Sequence, residues 1–495
     1  MKTFSRFDFA LILQRLVLVI FALFPITLAA IAQVLFIFRT WDALKAVQIS
    51  LLVGVFIVPV ILIFISPALW AMLEKHKNLL VLWVLAIAIG LRLALIPLIS
   101  TDFGSDMADI HLFAADIISG NANLNNYPNI SYAAYLSLTS LVLSFVYKIF
   151  GVSTTVAKLF LVVLSVLTTW LVYLTGREIA GTKVGVAASL LYASLPSLIC
   201  YTGVLTGDHL ALPFIVLAIL IQAYLQKSDQ IKSYYSLIGY ALCGATIGFV
   251  DWFRPFGLIL LVALVVSTFI YQIKRLTFFR LALALSLLVF SYFAVSKLAS
   301  VTTERVFHAR VLSTFQKIGG HLLVGLNPDS RGKVTLEDGI TIGETYQRLG
   351  DDYAAINRYL IESAFDRLDG GKFQRLLIEK FDIMWSNHIE LFDYALVGSN
   401  DQEIVYLMAD IESLIYLAIT LFILVGAIAS ILGGSHSAIL TMQLFMLGFG
   451  MLMLVMEAQN RYAVVVIPYL IILGALGLKD LIDIIRVDRQ TLPGT

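Results

Sequence analysis

Apolar runs of about 20 residues recur between positions 10 and 485, and each is long enough to cross a hydrocarbon layer roughly 30 Å thick as a helix. Their spacing predicts helices at 9–37, 46–72, 78–100, 154–176, 184–203, 208–226, 234–250, 256–273, 279–299, 404–432, 437–456 and 462–485. A membrane barrel is not expected, because it would show shorter segments of alternating polarity. The first run continues past Phe36 without an Ala-x-Ala cleavage pattern and reads as a retained helix. One further run, 131–150, is long enough to cross but is interrupted by Ser131, Ser137, Ser140, Ser144 and Tyr147.

Charge decides that case. If 131–150 does not cross, one face of the membrane receives Lys2, Arg6, Lys75, Lys77, Arg177, Lys183, Lys227, Lys232, Lys274, Arg275, Arg280, Lys479, Arg486 and Arg489. Cytoplasmic loops carry such an excess of Lys and Arg. If it does cross, every pair from Arg177 to Arg280 changes sides. The segment is therefore expected to lie in or dip into the outer interface, with both termini cytoplasmic. Arg39 and Lys45 are exceptions, left outside. The outer face then holds a loop over 101–153, short turns at 204–207, 251–255 and 457–461, and a large polar loop over about 300–403.

Four parts follow: two additional N-terminal transmembrane helices (1–77), a core transmembrane module (78–300) with the external loop 101–153, an extracytoplasmic cap (301–403), and C-terminal transmembrane helices (404–495). Composition agrees with an all-α polytopic membrane protein of about 12 spans. The chain is 60% hydrophobic and 14% charged, with mean hydropathy +0.91, against about 25% charged in soluble proteins. A net charge of +1 lacks the basic footprint of a nucleic-acid binder. Cys200 and Cys243 lie inside apolar runs and read as packed thiols.

Candidate chemistry gathers at four external positions. The first is Thr101-Asp102-Phe103-Gly104-Ser105-Asp106-Met107-Ala108-Asp109, where Ser105 or Asp106 can cap the helix that follows or Asp106 can serve as a general base. The second is the turn from Tyr201 to Asp208-His209, an N-cap or a polar site; neighbouring Asp and His rarely hold a metal alone. The third is Asp251-Trp252-Phe253-Arg254-Pro255, where Arg254 can pair with Asp251 or hold a phosphate. The fourth is Glu457-Ala458-Gln459-Asn460-Arg461-Tyr462, with a second arginine on the unexpected side.

The order of these residues resembles the GT-C superfamily of membrane glycosyltransferases, in its family-39-like branch of protein O-mannosyltransferases and the lipid A aminoarabinose transferase. The resemblance is carried by Asp106 followed by Ala114 and Ser119-Gly120, then Tyr127-Pro128, Phe150-Gly151, Tyr173 with Arg177, the Gly-rich turn 181–185, Pro196, Thr206-Gly207-Asp208, Arg254-Pro255, and Arg461-Tyr462 with Pro468. It covers 90–300 well and 457–475 moderately. This chain departs from the acidic pair of those enzymes, since Met107 follows Asp106.

The resemblance implies juxtamembrane helices in the first external loop and an inverting transfer of a sugar from a polyprenyl-phosphate donor to an acceptor hydroxyl. The reaction would take place on the extracytoplasmic face. It implies Asp106 as the catalytic base and Arg254 and Arg461 on the donor phosphate. Asp102, Asp109, Tyr127, Asp208, His209, Glu457 and Tyr462 are further substrate-binding candidates. No cofactor is indicated, although a divalent metal is compatible with the class. The expected partners are the bilayer, the prenyl donor and a cell-envelope glycan, lipid or protein acceptor, in a bacterial plasma membrane. The competing readings are a solute or lipid transporter, which would favour inverted repeats, and a polymerase or ligase acting on diphosphate-linked glycans.

Overall fold

The fold is that of a computed structural model, which describes residues 6–41, 43–97, 103–127, 129–130, 135–227, 234–273, 275–307, 317–350, 352–368, 371–395, 402–433 and 437–491. The regular elements among the described residues are all helical. The N-terminal part is α1 (Arg6–Phe21), α2 (Thr27–Thr40), α3 (Ala43–Ile65) and α4 (Pro67–Lys75). The core follows as α5 (Lys77–Leu95), α6 (Ser105–Ser119), α7 (Tyr135–Phe150), α8 (Thr154–Ala180), α9 (Thr182–Ser194), α10 (Pro196–Tyr201), α11 (Asp208–Lys227), α12 (Tyr234–Asp251), α13 (Gly257–Gln272) and α14 (Phe278–Phe307). The cap is built from α15 (Ile318–Gly325), α16 (Leu336–Leu349), α17 (Tyr353–Asp366), α18 (Lys372–Trp385) and α19 (Ile389–Ala395). The chain closes with α20 (Gln402–Gly433), α21 (Ser437–Val455), a 3-10 turn (Asn460–Val465) and α22 (Ile467–Thr491).

Six described helices are long and apolar enough to cross a membrane outright: Lys77–Leu95, Thr154–Ala180, Asp208–Gln226, Phe278–Phe307, Tyr406–Leu432 and Ala438–Val455. A pair bent by 44°, Gln48–Gly54 with Phe56–Ile65, makes a seventh. Other apolar runs appear as shorter pieces, three of them broken where proline stands. Pro25 sits in a π turn between α1 and α2, Pro67 opens α4 behind the Ser66 cap, and Pro196 separates α9 from α10. Proline lacks the N–H of the helical ladder and clashes with the preceding turn. Of the ambiguous run, Tyr135–Phe150 forms α7, 16 residues long, and 131–134 lie outside the described residues. Its polar side chains are absorbed locally: Thr139, Ser140 and Ser144 donate to the carbonyls of Tyr135, Leu136 and Leu141.

Close packing relies on small residues, as expected where lipid supplies no hydrophobic contrast between helices. A Cβ on Gly477 would sit 1.8 Å from the Phe422 carbonyl oxygen, so α20 and α22 meet backbone to backbone there. The two cations that violate the charge bias are paired with acids. Arg39 reaches Asp382 of the cap at 3.7 Å and Lys45 reaches Asp410 at 2.6 Å.

The cap has its own small core of Leu323, Leu326, Ile356, Leu360 and Ala364. It is tied to the 456–460 segment by backbone and side-chain bonds. Ala458 N–H donates to the Gly332 carbonyl at 2.8 Å, Glu390 N–H to the Asn460 side-chain oxygen at 3.1 Å, and Lys380 Nζ to the carbonyls of Gly325 and Met456 at 2.6 and 2.5 Å.

Candidate active site

Two turns meet first. Gly207 lies so close to the 253 turn that a Cβ would come within 2.5 Å of the Phe253 carbonyl oxygen; only glycine permits that approach. The contact sets Asp208 beside Arg254. Arg254 Nε lies 2.6 Å from Asp208 Oδ1, and its Nη2 donates to Oδ2 at 2.6 Å. Oδ2 also accepts from the Tyr201 hydroxyl at 2.8 Å and from Thr206 at 3.1 Å. Asp208 is fully buried, so its charge needs these partners. Arg254 therefore pairs with Asp208 and not with Asp251. The Asp251 carboxylate accepts from Gly257 N–H at 2.8 Å and from Tyr292 at 2.6 Å.

The second arginine stands differently. Arg461, on the 3-10 turn before α22, donates from Nε to Gln459 Oε1 at 2.5 Å. Among the described residues that is its hydrogen-bond partner; it touches no carboxylate. Its guanidinium lies 4.2 Å over the Tyr394 ring and 5.4 Å over the Tyr462 ring. Arg254 lies 5.7 Å over that same Tyr462 ring and 5.7 Å over Tyr135. Tyr462 is thus shared by both cations, and its hydroxyl donates to Glu457 Oε2 at 3.1 Å. Gln459 also donates to Glu457, which links the strip 457–462 into one chain of bonds.

Asp106 comes near two of the rings on which the arginines pack. Asp106 is half-buried at the start of α6 and is close enough to Tyr135 and Tyr394 to act on both phenols electrostatically. Burial pushes the Tyr394 phenol up, Arg461 pulls it back, and Asp106 adds to the rise. The capping role open to Ser105 or Asp106 is not taken: the N-cap is Gly104, with no side-chain cap bond. Ser105 instead has a positive φ of 51°, a conformation L-residues seldom adopt outside strained sites. The one hydrogen bond to the Asp106 carboxylate among the described residues comes from Ser105 Oγ at 3.3 Å.

Other predicted residues are occupied. Asp109 accepts from Asn129 N–H and Nδ2 at 3.3 and 2.9 Å. Tyr127 donates to Asp116 at 2.5 Å, and burial followed by that bond pushes its phenol up to about 12. Both brace the loop behind α6. His209 is buried with Nε2 3.0 Å from the Tyr201 carbonyl oxygen and its ring 5.1 Å from the Tyr201 ring, so it supports the Asp208 corner from behind. Asp102 lies outside the described residues. Among the described residues no three His, Cys, Asp or Glu side chains gather as a metal site.

Sequence reasoning missed what holds the corner in place. At the Leu195–Pro196 break the last carbonyls of α9 lose their helical partners. Arg92 supplies them, donating to Ala193 and Tyr192 at 2.9 and 3.5 Å and to Ser165 at 2.8 Å. On the other side of the break, Glu412 of α20 accepts from Ser197 N–H at 2.5 Å and bonds His388 Nδ1 at 2.7 Å. A cation thus meets the C-terminus of α9 and an anion the N-terminus of α10, as the helix dipole favours. Glu412 was legible as one of two acids, with Asp410, inside the apolar run 404–432, and such residues have a job by default.

Comparison with known proteins bears on this core. Residues 137–296 match the family model of dolichyl-phosphate-mannose-protein mannosyltransferases. Among solved structures the chain is similar, at 16% identity and a TM-score of 0.47, to archaeal oligosaccharyltransferase AglB from Archaeoglobus fulgidus in complex with an inhibitory peptide and a dolichol-phosphate. The similarity covers 84% of this chain and 52% of that one, so the chain spans about half the length of that protein. No curated protein matches it.

Proposed function

We propose that this chain, a polytopic membrane protein and a glycosyltransferase of the GT-C superfamily, uses a polyprenyl-phosphate sugar as donor and inverts the anomeric centre with Asp106 as base. The acceptor hydroxyl loses its proton to the Asp106 carboxylate as its oxygen attacks the anomeric carbon. The bond from that carbon to the phosphate oxygen breaks through an oxocarbenium-like state. The leaving phosphate departs as an anion, so it needs cationic stabilisation and no proton.

The observation that supports this reading is the pairing of incomplete partners around Tyr394. Asp106 has accepting capacity to spare beyond Ser105, and Arg461 has donors to spare beyond Gln459. A phosphate fits the cation and a hydroxyl fits the carboxylate. Arg254, already committed to Asp208, contributes field more than direct bonds. The cap carries Tyr394, which packs on Arg461, and in this reading the cap selects the acceptor. On the charge argument, this face is extracytoplasmic and both termini are cytoplasmic; in this reading the membrane is a bacterial plasma membrane and the acceptor a cell-envelope glycan, lipid or protein.

The test is Asp106→Asn. General-base catalysis contributes about 10²–10⁴-fold, so turnover should fall by that factor. A bound prenyl-phosphate sugar should still appear in native mass spectra of the purified variant. Wild-type turnover in Asp106→Asn overturns the base assignment. Absence of any bound prenyl lipid, even after candidate donors are added, overturns the donor class.

A further inference from the structure

At the end of the molecule away from the candidate site, a cleft of about 280 Å³ opens between the N-terminal helices, the α8–α9 turn and the end of α22. From Ile467 to Arg486, α22 rises roughly 30 Å at 1.5 Å per residue, so cleft and site are about a bilayer core apart.

The groups lining the cleft carry both signs of charge. Lys183 and Arg486 have no carboxylate partner among the described residues. Lys183 Nζ lies 5.1 Å over the Trp70 ring, and Arg486 Nη2 donates to the Phe64 carbonyl at 2.7 Å, leaving the rest of its fork open. Lys479, in contrast, is taken by Asp483 at 2.9 Å. The start of α9 also faces the cleft. Its N-cap is Gly181, with φ +93°, no side-chain cap and nothing within 4 Å of where a Cβ would stand. The first N–H groups of α9 are therefore uncapped and approachable, beside two unneutralised cations. Glu74 lines the same cleft with no cationic partner among the described residues.

We infer that this cleft binds the headgroup of a phospholipid that carries both a phosphate and a primary ammonium. The phosphate goes to Lys183, Arg486 and the α9 N–H groups, the combination that suits anions at helix starts. The ammonium goes to Glu74. A purely anionic headgroup would leave Glu74 unpaired next to it, and a quaternary ammonium could not donate hydrogen bonds to that carboxylate. The position at the end of a membrane-depth helix, beside an aromatic of interfacial type, favours a lipid over a soluble phosphate.

The experiment is native mass spectrometry of the full chain in non-ionic detergent, titrated with phosphatidylethanolamine, phosphatidylglycerol, phosphatidylcholine or inorganic phosphate. Phosphatidylethanolamine should bind with the highest affinity, and Lys183→Ala with Arg486→Ala should weaken it by about tenfold or more. Glu74→Gln should erase the preference over phosphatidylglycerol while leaving phosphatidylglycerol binding intact, a result that does not depend on the double variant folding. The proposal is overturned by equal binding of the two lipids to wild type, by undiminished binding in a well-folded double variant, or by a preference for phosphatidylethanolamine that survives Glu74→Gln. Displacement of the lipid by millimolar inorganic phosphate overturns the lipid assignment in favour of a free-anion site.

Discussion

Arg254 and Arg461 share one tyrosine ring, and they are held by opposite means. Arg254 is locked to a fully buried carboxylate through two nitrogens and stands at a junction set by Gly207. Arg461 is held by one neutral side chain and two aromatic faces. A cation whose charge is already answered organises its surroundings; a cation left unanswered in a buried place is positioned for a charge that arrives. On this contrast the proposed donor-phosphate role falls to Arg461 and an architectural one to Arg254, although the sequence presents them as equivalents.

The largest effect that separates the two is on stability. Asp208→Asn leaves Arg254 buried with its charge uncompensated, and removing one partner of such a pair costs about 3–5 kcal/mol. Thermal unfolding in detergent should show a large drop in Tm. Arg461→Ala should move Tm little. Because hydrogen bonds to charged groups are worth about 1.5–3 kcal/mol, it should instead weaken donor binding roughly ten- to a hundredfold. A large Tm loss in Arg461→Ala with unchanged donor affinity would reverse the two roles.

The clasp at the helix break sharpens the comparison further, because its α10 side leads straight to the Asp208–Arg254 pair. Glu412→Leu leaves Ser197 N–H and His388 without their buried acceptor, at about 1–3 kcal/mol. The disturbance passes along α10 to Tyr201, a ligand of Asp208, more directly than it passes through His388 and Glu390 to Asn460 of the 457–462 strip. Turnover should fall while donor affinity measured through Arg461 holds. Glu412→Gln, which keeps an acceptor oxygen, should recover most of the loss. An equal loss of donor affinity in Glu412→Leu would place the clasp under both arginines.

How much of this could be read beforehand follows from the range of each signal. Lys and Arg counts per loop are additive along the chain, so they give an expectation for the membrane face of each loop and for 131–150 before any contact is known. Asp106, Asp208, Arg254 and Arg461 stood out because a charge beside a long apolar run is conspicuous. Pairing is different. Asp208 and Arg254 are 46 positions apart, and nearby Asp251 looked the better partner; only the Gly207 contact decides it. Nor does the sequence show that Asp109 and Tyr127 are spent on Asn129 and Asp116, because those bonds depend on how one loop folds back. Arg39 and Lys45 looked like errors in the charge pattern until the cap and α20 supplied Asp382 and Asp410.

The smallest effect concerns what keeps the Arg461 strip in place without an ion pair. Lys380, on α18 of the cap, is fully buried and gives two hydrogen bonds to the carbonyls of Gly325 and Met456, the latter next to Glu457. Burial pushes its amine down to about 7, against a small upward pull from Glu457. A neutral amine still has the two N–H donors those carbonyls need. The unfolded chain, with an ordinary lysine near 10.4, binds more protons than the folded one between about pH 7 and pH 10. Folded stability therefore rises with pH across that window, by up to about 1.4 kcal/mol per unit, and is flat with respect to this group below it. Lys380→Met has nothing to titrate and should lack that slope, so Tm of wild type minus Tm of the variant should climb between pH 7 and pH 9. A difference that stays constant would mean that Lys380 remains charged in the fold, and that the strip beside Arg461 is held by a buried cation after all.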